Sequence, residues 1–294
     1  MQDRRWMRAG VGAAMLAVGI CAGPARAEPA LWSVSDADST IYLFGTAHAA
    51  RKGSEWKTPK IDAAMRASRD LWLEIGDDLG SSQSAMAGIV RQHGIDPARP
   101  LSAKLSPALL ARLTAAAKPY GMTIAQLEPM RPWLAAVTLG TLPFLKAGLD
   151  PSAGADRTLR AIAVTDKDRI HGLETAEQQI RFLADFSEAE QIAFLESSID
   201  DLEEGPQQLT QLAQAWEQGD LPALSRMVVD EMREKEPKLY ARLIVERNRA
   251  WAQQIRTLLA GKGTAFVAVG VGHLVGPDSV QVQLAKLGIR ARRR

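Results

Sequence analysis

Ile41-Tyr42-Leu43-Phe44-Gly45-Thr46-Ala47-His48 is the stretch that decides how this chain reads. It is a short apolar strand running straight into a Gly-x-x-His turn, the pattern of a buried strand in an α/β sheet. The same construction returns near the other end, at Ala265-Phe266-Val267-Ala268-Val269-Gly270-Val271-Gly272-His273. The 294 residues include four histidines, and two of them sit in this context. Glycine permits the sharp turn and lets backbone or ligand approach closely. Each histidine then stands just beyond the carboxyl end of a strand, where open α/β sheets place their ligands. If both strands lie in one sheet, His48 and His273 converge.

Working outward, residues 31–34 and 40–44 read as two strands around the polar turn Asp36-Ala37-Asp38-Ser39. Residues 59–69 read as a helix with Ile61, Ala64 and Met65 on one side, and residues 70–74 as the next strand. Strand, helix, strand in that order predicts a parallel crossover. The middle is helical. Ser106-Pro107 caps one helix, Arg131-Pro132-Trp133 opens another over residues 134–146, and residues 156–163 form a third before a strand at residues 169–173. Residues 176–200 read as one amphipathic helix, residues 209–217 and 222–231 as shorter ones, and residues 238–260 as a long one stopped by Gly261. Asp278 and Gln281 form a capping-box pattern before a last helix, and the basic tail, residues 290–294, reads as frayed. Strands gather at both ends and helices fill the middle. The expected fold is α/β: a central mixed sheet built from both ends of the chain, flanked by helices, with a mostly helical middle insert. Residues 28–294 then make one domain.

Residues 1–27 read as a secretory signal peptide: Arg4, Arg5 and Arg8, a short apolar run, then Ala25-Arg26-Ala27 as cleavage signal. They hold four basic residues and one acid, so the rest carries 32 basic and 33 acidic residues. The net charge of +2 falls to about −1, which leaves no nucleic-acid footprint. The one cysteine, Cys21, lies in the leader. The mature chain therefore lacks a thiol nucleophile, and any metal must be held by His, Asp or Glu. No later segment is apolar enough to span a bilayer, so a periplasmic or secreted protein is expected.

Glu74 ends the strand after Leu71-Trp72-Leu73. A carboxylate there is either a rim ion-pair partner or a metal ligand or general base beside the histidines. Asp77 follows and could serve the same place. Glu174 ends residues 169–173 in the same way, although Glu174-Thr175 also suits a helix start. Arg247 and Trp251, at i and i+4, share one face of the long helix, and Arg247-Asn248 is more polar than a core stripe needs. Arg247 is either paired with an acid such as Glu246 or a clamp for developing negative charge. His93 falls in an exposed polar turn beside Gly94, and His171 lies within a strand as a structural residue.

The ordered set Leu43-Phe44-Gly45-Thr46-Ala47-His48, Leu73-Glu74, Arg131-Pro132-Trp133, Gly154-Ala155-Asp156, Gly172-Leu173-Glu174-Thr175, Glu246-Arg247-Asn248 and the Val269–Gly276 segment resembles the TraB/PrgY/GumN family, which includes the Tiki proteases. The resemblance implies a fold like the erythromycin-esterase and ChaN proteins, with the Gly-x-x-His pair and the strand-end glutamate at the active site. It also implies metal-dependent proteolysis. Tiki members are membrane-anchored, whereas this chain reads as free.

The expected function is a periplasmic metal-dependent hydrolase, a peptidase acting on a peptide or other carbonyl substrate. His48, His273 and Glu74 would hold a divalent ion, zinc, manganese or cobalt. Glu174 would be base or orienter and Arg247 the clamp. Two alternatives stand beside it. One is a metal-independent esterase-like hydrolase with a histidine–glutamate base. The other is a non-enzymatic haem- or iron-binding protein, or an accessory in polysaccharide assembly.

Overall fold

The computed structural model describes residues 28–76 and 83–294. Asp77 and residues 1–27, which read as a signal peptide, lie outside the described residues. The strands are β1 (Leu31–Ser35), β2 (Ser39–Thr46), β3 (Ala50–Arg51), β4 (Asp70–Ile75), β5 (Leu149–Asp150), β6 (Arg169–Glu174), β7 (Gly263–Gly270) and β8 (Arg292–Arg293). Six of them form one sheet in the order β6-β4-β7-β2-β1-β8, while β3 and β5 make a separate ribbon. The four strands β6, β4, β7 and β2 run parallel, and β1 and β8 add antiparallel neighbours at one edge. The sheet is mixed, central and built from both ends of the chain, as the sequence predicts.

The helices are α1 (Pro59–Arg66), α2 (Gln83–Gly94), α3 (Pro107–Ala117), α4 (Ile124–Leu127), α5 (Pro132–Thr141), α6 (Pro143–Lys146), α7 (Ala155–Asp166) and α8 (Ala176–Ala184). After them come α9 (Glu188–Glu204), α10 (Gln207–Gln218), α11 (Leu221–Leu224), α12 (Glu231–Lys235), α13 (Pro237–Tyr240), α14 (Arg247–Leu259) and α15 (Val280–Lys286).

Side-chain alternation along β7 shows how the sheet is sandwiched. Phe266 and Ala268 pack on one face with Phe44, Leu71 and Leu73, beneath Ile61 and Met65 of α1 and Leu159 of α7. Ala265, Val267 and Val269 pack on the other with Ile41 and Leu43, beneath Trp251 and Ile255 of α14 and Leu284 of α15. α3, α5 and α9 close a third cluster around Leu113, Leu139 and Ile199. That cluster is the helical middle.

Five expectations of detail change. The strand–helix–strand unit of β2, α1 and β4 is parallel, but β7 occupies the place between its strands. Residues 134–146 break at Pro143, which lacks the N–H a continuing helix needs and opens α6 instead. Residues 176–200 are two helices, because Ser187 caps α9 afresh with a side chain that accepts from the Glu190 N–H. Ser279, not Asp278, precedes α15, and Asp278 accepts instead from the Tyr240 hydroxyl at 3.0 Å. The basic tail is not frayed. β8 pairs with β1, and Arg294 donates to Ser33 Oγ at 2.7 Å.

The long helix expected over residues 238–260 runs through α13 and α14, with a π-helical turn, Ala241–Glu246, just before Arg247. Such turns widen a helix locally and re-aim the side chains that follow.

Candidate active site

Each of the four parallel strands delivers a polar residue to its carboxyl end. β2 leads to His48, β4 carries Glu74, β6 ends on Glu174 and β7 leads through Gly270 to His273. β2 and β7 are neighbours, with Gly45 paired to Val269 and Thr46 to Gly270. The two Gly-x-x-His turns therefore lie side by side. A methyl group on Gly45 would come within 2.9 Å of Val271 Cγ2, so the first turn needs glycine to nest against the second.

Gly270 marks the centre. A methyl group there would lie 3.2 Å from Glu74 Oε1, 3.6 Å from His48 Nε2 and 3.8 Å from His273 Cδ2. Two imidazoles, 225 residues apart in sequence, and a carboxylate thus border one point.

Glu74 is held on both oxygens. Oε1 accepts from the Gly270 N–H at 2.7 Å, and Oε2 accepts from Arg247 Nη2 at 2.8 Å and Gln179 Nε2 at 3.0 Å. Burial alone would raise its pKa, but the neighbouring His273, Arg247 and His48 and the Gly270 N–H carry it down to about 2. Glu74 is an anion at any working pH.

Arg247 is 7% exposed and spends all five of its N–H groups inside the protein. Nε donates to Glu174 Oε1 at 2.9 Å, and Nη2 to Glu174 Oε2 at 2.9 Å and to Glu74. Nη1 donates to His273 Nε2 at 3.2 Å and to the Leu243 carbonyl at 3.3 Å. A guanidinium with no free donor is not a clamp for substrate charge. It ties the ends of β4, β6 and β7 together. Its partners are Glu74 and Glu174 rather than the exposed Glu246. Glu174 has its pKa raised by burial, against the lowering effect of Arg247.

His273 is buried between Asn248 and Arg247. Asn248 Nδ2 donates to the Asp278 carbonyl at 2.8 Å, which turns Oδ1 toward His273 Nδ1 at 2.7 Å. The amide oxygen can only accept, so Nδ1 carries the proton and Nε2 is the bare nitrogen facing Arg247. The ring packs against Trp251 with centroids 4.4 Å apart. Burial holds its pKa down to about 3, so His273 is neutral.

His48 is different. Its side chain is 67% exposed, and Nδ1 stands 3.6 Å from Asp156 Oδ1 on α7. Pairing with Asp156 raises its pKa above the ordinary 6.5, against the opposing effect of burial. The loop is fixed by α7 itself: Ala155 N donates to the Ala47 carbonyl at 2.9 Å, and a methyl on Gly154 would meet the His48 carbonyl at 2.5 Å. His48 Nε2 opens on a recess of about 760 Å³, walled by Thr46, Glu74, Met86, Arg160 and Val164.

The other histidines stay apart. His171 Nε2 meets Asp70 Oδ1 at 2.7 Å and stacks on Trp72. His93 does not sit in an exposed turn; it closes α2, its side chain 20% exposed, because Gly94 packs against Trp133 and Leu134. Sequence reading gave no role to Asp156, Asn248 or Gln179. Asn248 had the clearest signal, a second polar residue beside Arg247 on an otherwise core-facing stripe.

The expected metal ligands come to one place, but not as open donors. Arg247 bonds two of the three, His273 Nε2 and Glu74 Oε2, so an ion there would meet a fixed positive charge. Among the described residues, no three His, Cys, Asp or Glu side chains are spaced to hold an ion. As built, the residues do not fit a resident metal.

A TraB/PrgY/gumN family model matches residues 30–293. The chain is also similar to an uncharacterized protein of Treponema pallidum (strain Nichols), 25% identical over 269 residues, covering 86% of this chain and 79% of that one. No solved structure matches.

Proposed function

The chain belongs to the TraB/PrgY/gumN family, and from that premise we propose that it is a hydrolase of carbonyl substrates, working in the periplasm or outside the cell with His48 as general base. The observation that supports this is the pair of unlike histidines around Gly270. His48 is exposed and backed by a carboxylate, whereas His273 is buried, neutral and fully bonded. A general base needs a free nitrogen, an oriented ring and a partner that stabilises the imidazolium. His48 has the free nitrogen and, 3.6 Å from its other nitrogen, the carboxylate of Asp156.

In this reading neutral His48 takes a proton from a water in the recess as that water attacks the carbonyl carbon. Asp156 steadies the resulting imidazolium. The tetrahedral intermediate then expels its amine or alcohol, which receives the proton back from His48 Nε2. Glu74 lines the recess, and Arg247 holds it in place while also bonding Glu174 and His273. Their roles are positioning.

A peptide bond is the preferred target, on family grounds. The absence of membrane-length apolar helices among the described residues agrees with a body free of the bilayer.

The convergence of His48, Glu74 and His273 on Gly270 leaves a second reading, a metal-dependent peptidase. It requires Arg247 to give up His273 and Glu74. One experiment separates the two. The purified protein is assayed on peptide and ester panels before and after exhaustive chelation, beside His48→Ala and a His48→Ala/His273→Ala double variant whose metal content is measured by mass spectrometry. Activity that survives chelation and vanishes in His48→Ala supports the metal-free base. Activity lost on chelation, with metal absent from the double variant, supports the metal enzyme. A haem titration with a Soret shift, and no turnover, would support the non-enzymatic alternative.

A further inference from the structure

A crevice of about 250 Å³ opens between α9, α10 and α12, and it shares no lining residue with the recess beside His48. Its apolar wall is made by Phe194, Leu209, Met227 and Met232. Side chains of a protein interior normally close such a gap. Here one wall is held back. It belongs to the π-helical turn Ser225–Asp230, whose Val228 and Val229 nest against Gly272 and Gly276. Methyl groups on those glycines would come within 2.9 Å of Val228 Cγ1 and 2.6 Å of Val229 Cγ1. The crevice is therefore preformed, and an occupant does not have to open it.

The lining is also acidic. Asp201, Glu231 and Glu236 border the crevice with one cation, Lys235, which is bonded to Glu231. Among the described residues, the carboxylates of Asp201 and Glu236 make no hydrogen bond or ion pair. Asp201 is exposed as a residue, yet desolvation, and then the carboxylates of Glu231, Glu204 and Glu236, push its pKa up to about 6 against the opposing effect of Lys235. Carboxylates that repel one another are relieved by a cation. A bare metal ion does not fit, because among the described residues no three acids are spaced to share one. An organic cation with an apolar body does. Its charge meets Asp201 and Glu236, and its chain lies on Phe194, Leu209 and two methionines, whose flexible side chains adapt to an occupant.

We propose that this crevice is a binding site for an aliphatic ammonium ion. The site stands apart from His48, and nothing in it depends on the hydrolase reading.

The full-length protein, carrying methyl-labelled methionine, is titrated with octylammonium, octanol and octanoate. The Met227 and Met232 methyl signals, assigned with Met227→Leu and Met232→Leu, are followed by NMR. Octylammonium should shift both signals saturably and bind about tenfold tighter than octanol, the scale of one charge-assisted contact. Octanoate should leave them unmoved. Asp201→Asn should bring octylammonium and octanol within about threefold, and Glu236→Gln should weaken octylammonium in the same direction. Asp201 is exposed, so its variant should fold. Asp201 must be ionised to meet the ammonium, so octylammonium affinity should fall as the pH drops through about 6, while octanol affinity should not. Equal binding of the ammonium and the alcohol overturns the proposal. So does an ammonium preference that survives both Asp201→Asn and Glu236→Gln, or a pair of methyl signals that do not move.

Discussion

Two residues of one type divide the work here because their surroundings differ. His273 is desolvated and has both nitrogens bonded, which holds it neutral. His48 faces solvent with a carboxylate behind it, which raises its pKa. A base must be neutral to act, so the rate should climb with pH through a pKa above 6.5. Asp156→Asn removes the main cause of that elevation. The climbing limb of kcat/KM should then move to lower pH, and the plateau rate should fall as the imidazolium loses its partner. A limb that stays put in a pH–rate series would show that Asp156 does not set it. Arg247 is the residue with most to lose. Arg247→Ala would strand two buried carboxylates, a change that costs about 3–5 kcal/mol in comparable buried pairs. Urea denaturation measures it directly. The sequence disclosed His48, Glu74, Glu174, Arg247 and His273 because each sits at a strand end or breaks an apolar stripe. It did not disclose that Arg247 is fully bonded, since five donors find their acceptors across 173 residues of separation from Glu74.

At the level of elements, the repeated strand-Gly-x-x-His unit is what assembles the site. Each unit carries its glycine for a different reason. Gly45 gives way to Val271, and Gly270 leaves open the point on which Glu74, His48 and His273 converge. Gly270 has φ −49 and ψ 135, which any residue adopts. Gly270→Ala should therefore fold, with its methyl in the reaction space. We expect kcat/KM to fall about a hundredfold or more, with little change in thermal midpoint; undiminished activity in the folded variant would show that the point is not used. The strands and most helices were legible from periodicity. The breaks at Pro143 and Ser187 were missed because a 3.6-residue stripe continues across both. The edge strand β8 was missed because two arginines look solvated until β1 is known to offer them a partner.

The whole molecule brings its two ends into one sheet and seals a charged floor at its carboxyl edge, and that arrangement links stability to pH. His273 has a folded pKa of about 3 against an ordinary 6.5, so the unfolded chain binds the extra proton between those values. Stability should fall as pH drops through that window. Glu74 has a folded pKa of about 2 against 4.5, so its contribution is full above 4.5 and is lost as pH falls toward 2. Both act in the same direction, each by at most about 1.4 kcal/mol per pH unit. Unfolding free energies at pH 7, 5 and 3.5 should decline in order, and Glu74→Gln should flatten the lower step. A flat profile would mean that the floor is wetter than its burial implies.

The division between the two histidines can be measured without any substrate. Proton NMR titration of the ring signals, assigned with His48→Gln and His273→Gln, gives each pKa in the folded protein. His48 should titrate above 6.5, and His273 should show no protonation down to about pH 4. Two similar values near 6.5 would mean that neither ring is singled out, and His48 would lose its claim to be the base.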